Sequence, residues 1–369
     1  SDLAALLRGD GLAGEDPLYQ ISSQLQAGHI SVADAATMIR ERIGEAAKLE
    51  PKVFDQAIFA AFVRVDPQGA FKLLGNRSRT EMQDAITAIG AHGQTVRHQP
   101  GAHDGVGYTL QLLNPALLAE RTGITVVADL RSRDVAAGGQ GAPLGPAFHQ
   151  QVFAPPAGDW GLVLNIGGIA NVSVLSPPDQ PAPVRGWDCG PGNALMDAWC
   201  QRHTGQPFDQ DGRWAASGHV LPALLAQLLR EPFLQQAPPK STGRDLFHWA
   251  WLEQQLCAFG DAAAADVQAT LTAFTAQACA DSVRPFSDGA HTLLVCGGGA
   301  LNAYLMAQLQ QRLPQLQVVS TAARGLPPLQ VEAAAFAWLA RQCWLGQAGN
   351  LPAVTGAQGP RILGAIYQA

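Results

Sequence analysis

The sequence has 369 residues and is 47% hydrophobic, which suffices for a large core, and its length favours two domains over one. Net charge is −6 and the 24 basic residues are scattered without a run or stripe, which argues against a nucleic-acid partner. No apolar run nears the roughly 18 residues that span a bilayer, and no basic segment followed by an apolar one opens the chain, so a cytoplasmic protein with no membrane partner is expected.

In chain order, residues 31–47 come first. Val32, Ala35, Met38, Ile39 and Ile43 recur there at helical spacing behind Ser31 as N-cap. Residues 87–91 and 124–130 are short apolar runs rich in β-branched residues, each leading into a polar or glycine-bearing loop, and are expected to be buried strands. Residues 133–146 carry Gly138, Gly139 and Gly141, a candidate hinge between domains. The block GLVLNIGGIANVSVL then has two apolar runs joined at Gly167 and Gly168, a hairpin signal because two glycines accept the positive φ of a tight turn. Next, VRGWDCGPGN sets a lone Asp188 beside residues that hardly form helix, and ALMDAWCQRH begins a helical period with Asn193 as N-cap. A further strand, TLLVCGGGA, opens into the helix LNAYLMAQLQQRL, and long helices fall near 262–284 and 329–346. Strands and helices interleave, which makes the fold class mixed α/β.

Six cysteines at 189, 200, 257, 279, 296 and 343 form neither a dense disulfide framework nor a CxxC pattern, and they read as reduced, mostly buried thiols. Cys189 lacks a nearby His within its motif to activate it and reads as a small core residue.

Two glycine loops carry the chemistry. Glycine at a strand end lets backbone N–H groups approach an anion, and a helix starting just afterwards adds partial positive charge. VCGGGALN has that form with Gly297, Gly298 and Gly299, and NIGGIAN adds Gly167 and Gly168 flanked by Asn165 and Asn171. A single such loop is as often a plain strand-to-helix turn; two suit a nucleotide. GxxxxGK[ST] is absent, and GGGALN is not GxGxxG, so neither a P-loop nor a dinucleotide fold is expected.

AIGAHGQTVRH, LNPALLAERTGITVVAD, DVAAGGQGAPLGPAFH, LNIGGIANVSVL, GWDCGPGNALMDAW, DGRWAASG, PPKSTGRDLF, VCGGGALN and VTGAQGPRILG follow one another over roughly residues 85–369. In content and order they resemble the 1,6-anhydro-N-acetylmuramic acid kinase family of the actin and hexokinase ATPase superfamily. The resemblance implies two actin-like domains on ribonuclease-H-like sheets, residues 1–135 plus about 350–369 and residues 136–349, with a cleft between them. It implies that an anhydro-amino-sugar and ATP with Mg²⁺ are bound there, the sugar's 1,6-anhydro bridge being opened by water while O6 is phosphorylated. By the same resemblance Asn165, Gly167, Gly168 and Asn171 would form the phosphate hairpin and Gly297, Gly298 and Gly299 the adenosine-side loop. No metal ligands are assigned in the chain, and a homodimer is left open.

A water attacking the anomeric carbon must lose a proton, and a carboxylate fixed by Gly190, Pro191 and Gly192 suits a general base, which makes Asp188 the catalytic candidate. A helix cap is the plainer reading of Asp188, but it lies too far upstream, and Asn193 suits that role better. His92, Gln94 and Thr95 match the family's motif and are expected to contact sugar, as is Glu332, otherwise a lone solvent-facing acid in an apolar helix. Lys240 and Arg244 either contact substrate or lie on a solvated loop. The family ordinarily carries a first-domain hairpin of the type MSGTSxDGxD, and nothing in residues 1–84 matches it. The second function class is therefore a degenerate binder of the sugar or nucleotide.

Overall fold

The computed structural model describes residues 86–369 apart from His103 and Arg244; the helix expected over 31–47 lies outside the described residues. Strands fall at β1 (Ile89–Gly90), β2 (Gln94–Pro100), β3 (Gly107–Leu112), β4 (Val126–Ala128), β5 (Gly161–Ile166), β6 (Ile169–Leu175), β7 (Arg185–Pro191), β8 (Thr292–Cys296), β9 (Gln317–Ser320) and β10 (Ala365–Tyr367). Helices α1 (Pro115–Thr122), α2 (Ser132–Ala136) and α3 (Gly145–Val152) precede the large sheet. After it has begun come α4 (Ala194–Thr204), α5 (Arg213–Ser217), α6 (Pro222–Leu228), α7 (Trp249–Leu256) and α8 (Ala264–Val283). Last are α9 (Ala303–Arg312), α10 (Val331–Trp344) and α11 (Pro352–Thr355).

The large sheet has the order β7-β6-β5-β8-β9. β6 is antiparallel to both its neighbours, whereas β8 and β9 continue parallel to β5. Three strands as a meander followed by two parallel ones, in spatial order 3-2-1-4-5, is the ribonuclease-H-like sheet. Strand alternation sorts its core onto two faces. Leu162, Leu164, Ile166, Val172, Trp187 and Cys189 join buried residues of α4, α8 and α9 on one side. Val163, Leu175, Leu294 and Cys296 meet Phe148 of α3 and Val331, Ala334 and Ala337 of α10 on the other.

A second sheet has β4 between β1, its parallel neighbour, and β10, its antiparallel one. α10 bridges the two sheets. Phe336, Leu339 and Ala340 pack with Ala88 and Val127, while its Val331 side packs on the large sheet. The approach to β1 is close, since a Cβ on Gly90 would stand 2.5 Å from the Phe336 carbonyl oxygen. The antiparallel ribbon β2–β3 projects from the end of β1.

The glycine segment proposed as a hinge is held tightly. Asp134, fully buried, accepts from the Gly141 N–H (2.8 Å), Asn350 Nδ2 (2.7 Å) and Thr355 Oγ1 (2.8 Å). Gly138 and Gly141 have φ of 79° and 65°, and a Cβ on Gly139 would stand 2.2 Å from the Asp134 carboxylate. All six cysteines are free, and Cys257 alone among them is exposed.

Candidate active site

The hairpin expected at Gly167-Gly168 forms, although neither glycine takes the positive φ expected of its turn, and its two-residue turn fixes a register that sets three polar side chains side by side. Asn165 of β5 lies opposite Asn171 of β6, and Asn171 lies opposite Asp188 of β7. All three face the side of α3 and α10, because Leu164, Ile166, Ala170, Val172, Trp187 and Cys189 point into the opposite core. A bulge between β6 and β7 at this point, with Gly190 at φ 145°, re-aims the edge strand so that Asp188 and Cys189 still take opposite faces.

Asp188 is 4% exposed. Its Oδ2 accepts the Thr242 N–H at 2.9 Å, and its own N–H donates to the Lys240 carbonyl at 3.3 Å. Burial pushes its carboxyl up to about 7, against the opposing pull of the Thr242 N–H, Arg131 and Lys240. A carboxylate that takes a proton near neutrality is suited to general base work.

Asp188, Asn165 and Asn171 line a cavity of about 250 Å³ together with Gln94, Thr95 and Glu332. The ribbon β2 brings Gln94 and Thr95, and the first turn of α10 brings Glu332. His92 stands behind that wall. Its Nε2 accepts from Arg131 Nε at 2.9 Å, and its ring lies 4.4 Å from that of Phe336. Arg131 lines the cavity, as do His98, His149, Thr242 and Asp245, none of which sequence reasoning singled out. Arg131 had a signal: it follows β4 where the chain turns outward, with Asp129 at φ 54°. Its guanidinium also donates to the Gly141 carbonyl at 2.8 Å. His149 had none in its sequence neighbourhood. Burial pushes its imidazole down to about 4, with Nδ1 2.8 Å from Ser173 Oγ.

The three glycine motifs converge at one end of the large sheet. A Cβ on Gly192 would lie 2.2 Å from the Gly167 carbonyl oxygen, and one on Gly297 would lie 2.6 Å from that of Ile166. Gly297, Gly298 and Gly299 thus stand beside the hairpin but do not line the Asp188 cavity, nor do Gly167 and Gly168. The start of α4 is capped differently from expectation. Asn193 occupies the N-cap position without a side-chain cap bond, and its Nδ2 donates to the Ile166 carbonyl. The carbonyls of Gly167 and Gly168 accept from the N–H groups of Gly192, Asn193 and Ala194, so the hairpin itself caps the helix. Lys240 is not on a solvated loop and does not line the Asp188 cavity; it is buried, with Nζ 3.1 Å from the carbonyls of both Phe233 and Leu234. Arg244 lies outside the described residues.

A ribonuclease-H-like sheet with glycine turns at its strand ends, set beside a second sheet across a bridging helix, is the architecture of the actin-like ATPase class. The sequence model of the anhydro-N-acetylmuramic acid kinase family matches residues 39–369. The chain belongs to that family, and the match extends upstream of the motifs that begin near residue 85. Similar curated proteins carry the name anhydro-N-acetylmuramic acid kinase. That of Variovorax paradoxus (strain S110) is 61% identical over 302 residues, covering 81% of this chain and 80% of the relative. That of Albidiferax ferrireducens is 60% identical, with 77% of each chain covered, and that of Chromobacterium violaceum is 52% identical, with 86% of each covered. No described helix is long and apolar enough to cross a membrane.

Proposed function

We propose that the chain opens the 1,6-anhydro bridge of anhydro-N-acetylmuramic acid with water and phosphorylates O6 from ATP, releasing N-acetylmuramic acid 6-phosphate. The observation that carries this reading is the in-register row Asn165, Asn171 and Asp188 facing the cavity, with Asp188 buried and held by the Thr242 N–H. Asp188 takes the proton of the attacking water. Gln94, Thr95 and Glu332 hold the sugar from the facing walls, and Arg131, oriented by His92, adds a cation to the same cavity. These side chains act by fixing the sugar's reacting carbon against the base.

Nucleotide phosphates fit the backbone turns beside the cavity. A Cβ on Gly167 would have only the Ile169 carbonyl near it, at 3.7 Å, and one on Gly298 only the Asn193 amide, at 3.2 Å, so both leave the main chain approachable. Gly167, Gly168, Gly297, Gly298 and Gly299 would hold the phosphate and adenosine ends, with Asn165 and Asn171 alongside. Among the described residues no three His, Cys, Asp or Glu side chains gather as a metal site. A Mg²⁺ ion would supply charge neutralisation while taking its ligands largely from the phosphates and water.

Relatives at 52–61% identity named as the kinase favour turnover over a degenerate binder. Incubating the chain with ATP, Mg²⁺ and anhydro-N-acetylmuramic acid tests the choice. The 6-phosphate is expected, and binding of both ligands without product would overturn the reading.

A further inference from the structure

We propose that Lys240 is a positioning residue: its buried ammonium pins the strap of residues 238–243 across the β7 edge, so that the strap grips Asp188 at both backbone and carboxylate. The grip has three parts. Lys240 Nζ donates at 3.1 Å to the carbonyls of Phe233 and Leu234 and lies 4.7 Å from the Phe233 ring centroid. Those carbonyls belong to the short turn Pro232–Gln235, which Glu231 caps and Phe233 anchors in the core. From that anchor the strap receives the Asp188 N–H on the Lys240 carbonyl and returns the Thr242 N–H to Asp188 Oδ2. Between them Ser241 Oγ donates to Gln140 Oε1 at 3.0 Å, which fixes the far side of the strap.

A buried ammonium is costly, and an apolar side chain of the same length would fill the space without that cost. What only a cation supplies here is a two-carbonyl anchor and a positive charge beside a buried carboxylate. The groups that face Asp188 are the Thr242 N–H, Arg131 and Lys240, with Arg97, His98, His149, Asp245 and Glu332 on the other walls of the cavity. Loss of Lys240 removes one cation and frees the strap that presents the N–H. Both changes favour the protonated acid.

The inference rests on Asp188 being the base, and two separate measurements keep the ideas apart. Asp188→Asn tests the base through turnover. The strap is tested by infrared titration of the Asp188 carboxyl in the ligand-free protein, its band being assigned by its loss in Asp188→Asn. In the parent the midpoint is expected near 7. In Lys240→Met it is expected about one pH unit higher, with the acid limb of kcat/KM moved by the same amount and KM for ATP little changed. A methionine variant whose midpoint and acid limb stay in place while its thermal stability falls would overturn the proposal and leave Lys240 a purely structural residue. Should the methionine variant not fold, Lys240→Gln, which retains a donor for one carbonyl, goes through the same titration with the same two outcomes deciding.

Discussion

Asp188 is asked to be both buried and ionised, and the conflict makes its role measurable. Its pKa of about 7 in the fold means that turnover falls as pH drops below 7, because the base then holds its proton. The acid limb of kcat/KM should show that midpoint. Asp188→Asn keeps the shape but cannot take a proton, and should lower kcat by about 10²-fold or more while sugar and ATP still bind, which product assays and calorimetry can separate. Stability should move the other way. The folded pKa lies above the unfolded value of 3.8, so the stabilising contribution is fully present below about pH 4 and is lost as pH rises through 7. The asparagine variant is therefore expected to melt higher than the parent at pH 8, by on the order of 2 kcal/mol, with the difference fading towards pH 4. A side chain that only capped a helix would show the reverse. Asp188 was legible in the sequence because glycines and a proline surround it. Arg131 was marked only by its place after a strand, and Thr242 by nothing, since a backbone N–H in a loop carries no motif of its own.

The β5–β6 hairpin and the β8 turn form one unit, and their glycines differ in what they tolerate. Gly297 has φ 78°, and a Cβ there would stand 2.6 Å from the Ile166 carbonyl oxygen. Gly297→Ala should cost about 1–3 kcal/mol in urea denaturation. Gly298, exposed and facing only the Asn193 amide, should accept alanine with its stability kept and its KM for ATP raised, since the main chain becomes less approachable. Strand and helix positions here were well marked: the double glycine, the apolar runs and the helical periods all appear within a residue or two of expectation. What escaped was the capping of α4, because three N–H groups met by carbonyls 24 to 26 residues upstream leave no local trace. The strap at 238–243 escaped for the same reason. Its sequence shows a loop, and only the tertiary structure shows what the loop holds.

For the molecule as a whole, both sheets must keep their places around the cavity, and Asp134 ties the loop between them to residues 350 and 355. Asp134→Ala leaves buried donors without an acceptor and should destabilise by about 3 kcal/mol, read as a shift in the urea midpoint at constant slope. If the lobes close around substrate, small-angle scattering should show compaction only with nucleotide and sugar together, the motion occurring on either side of this latched loop. The interleaved α/β organisation was readable from pattern alone, whereas the bridging role of α10 was not, because its long apolar run between Glu332 and Arg341 does not say that two different sheets share it. The row Asn165–Asn171–Asp188 also bears on how this gene can change. Substitutions can sample new side chains at each place, but a single codon inserted or deleted inside β5, β6 or β7 ahead of its member of the row would turn every later side chain of that strand to the other face and carry that member into the core. Changes of length are therefore expected to collect in the proline-bearing connection 176–184, leaving the strands and their two-residue turn fixed in number.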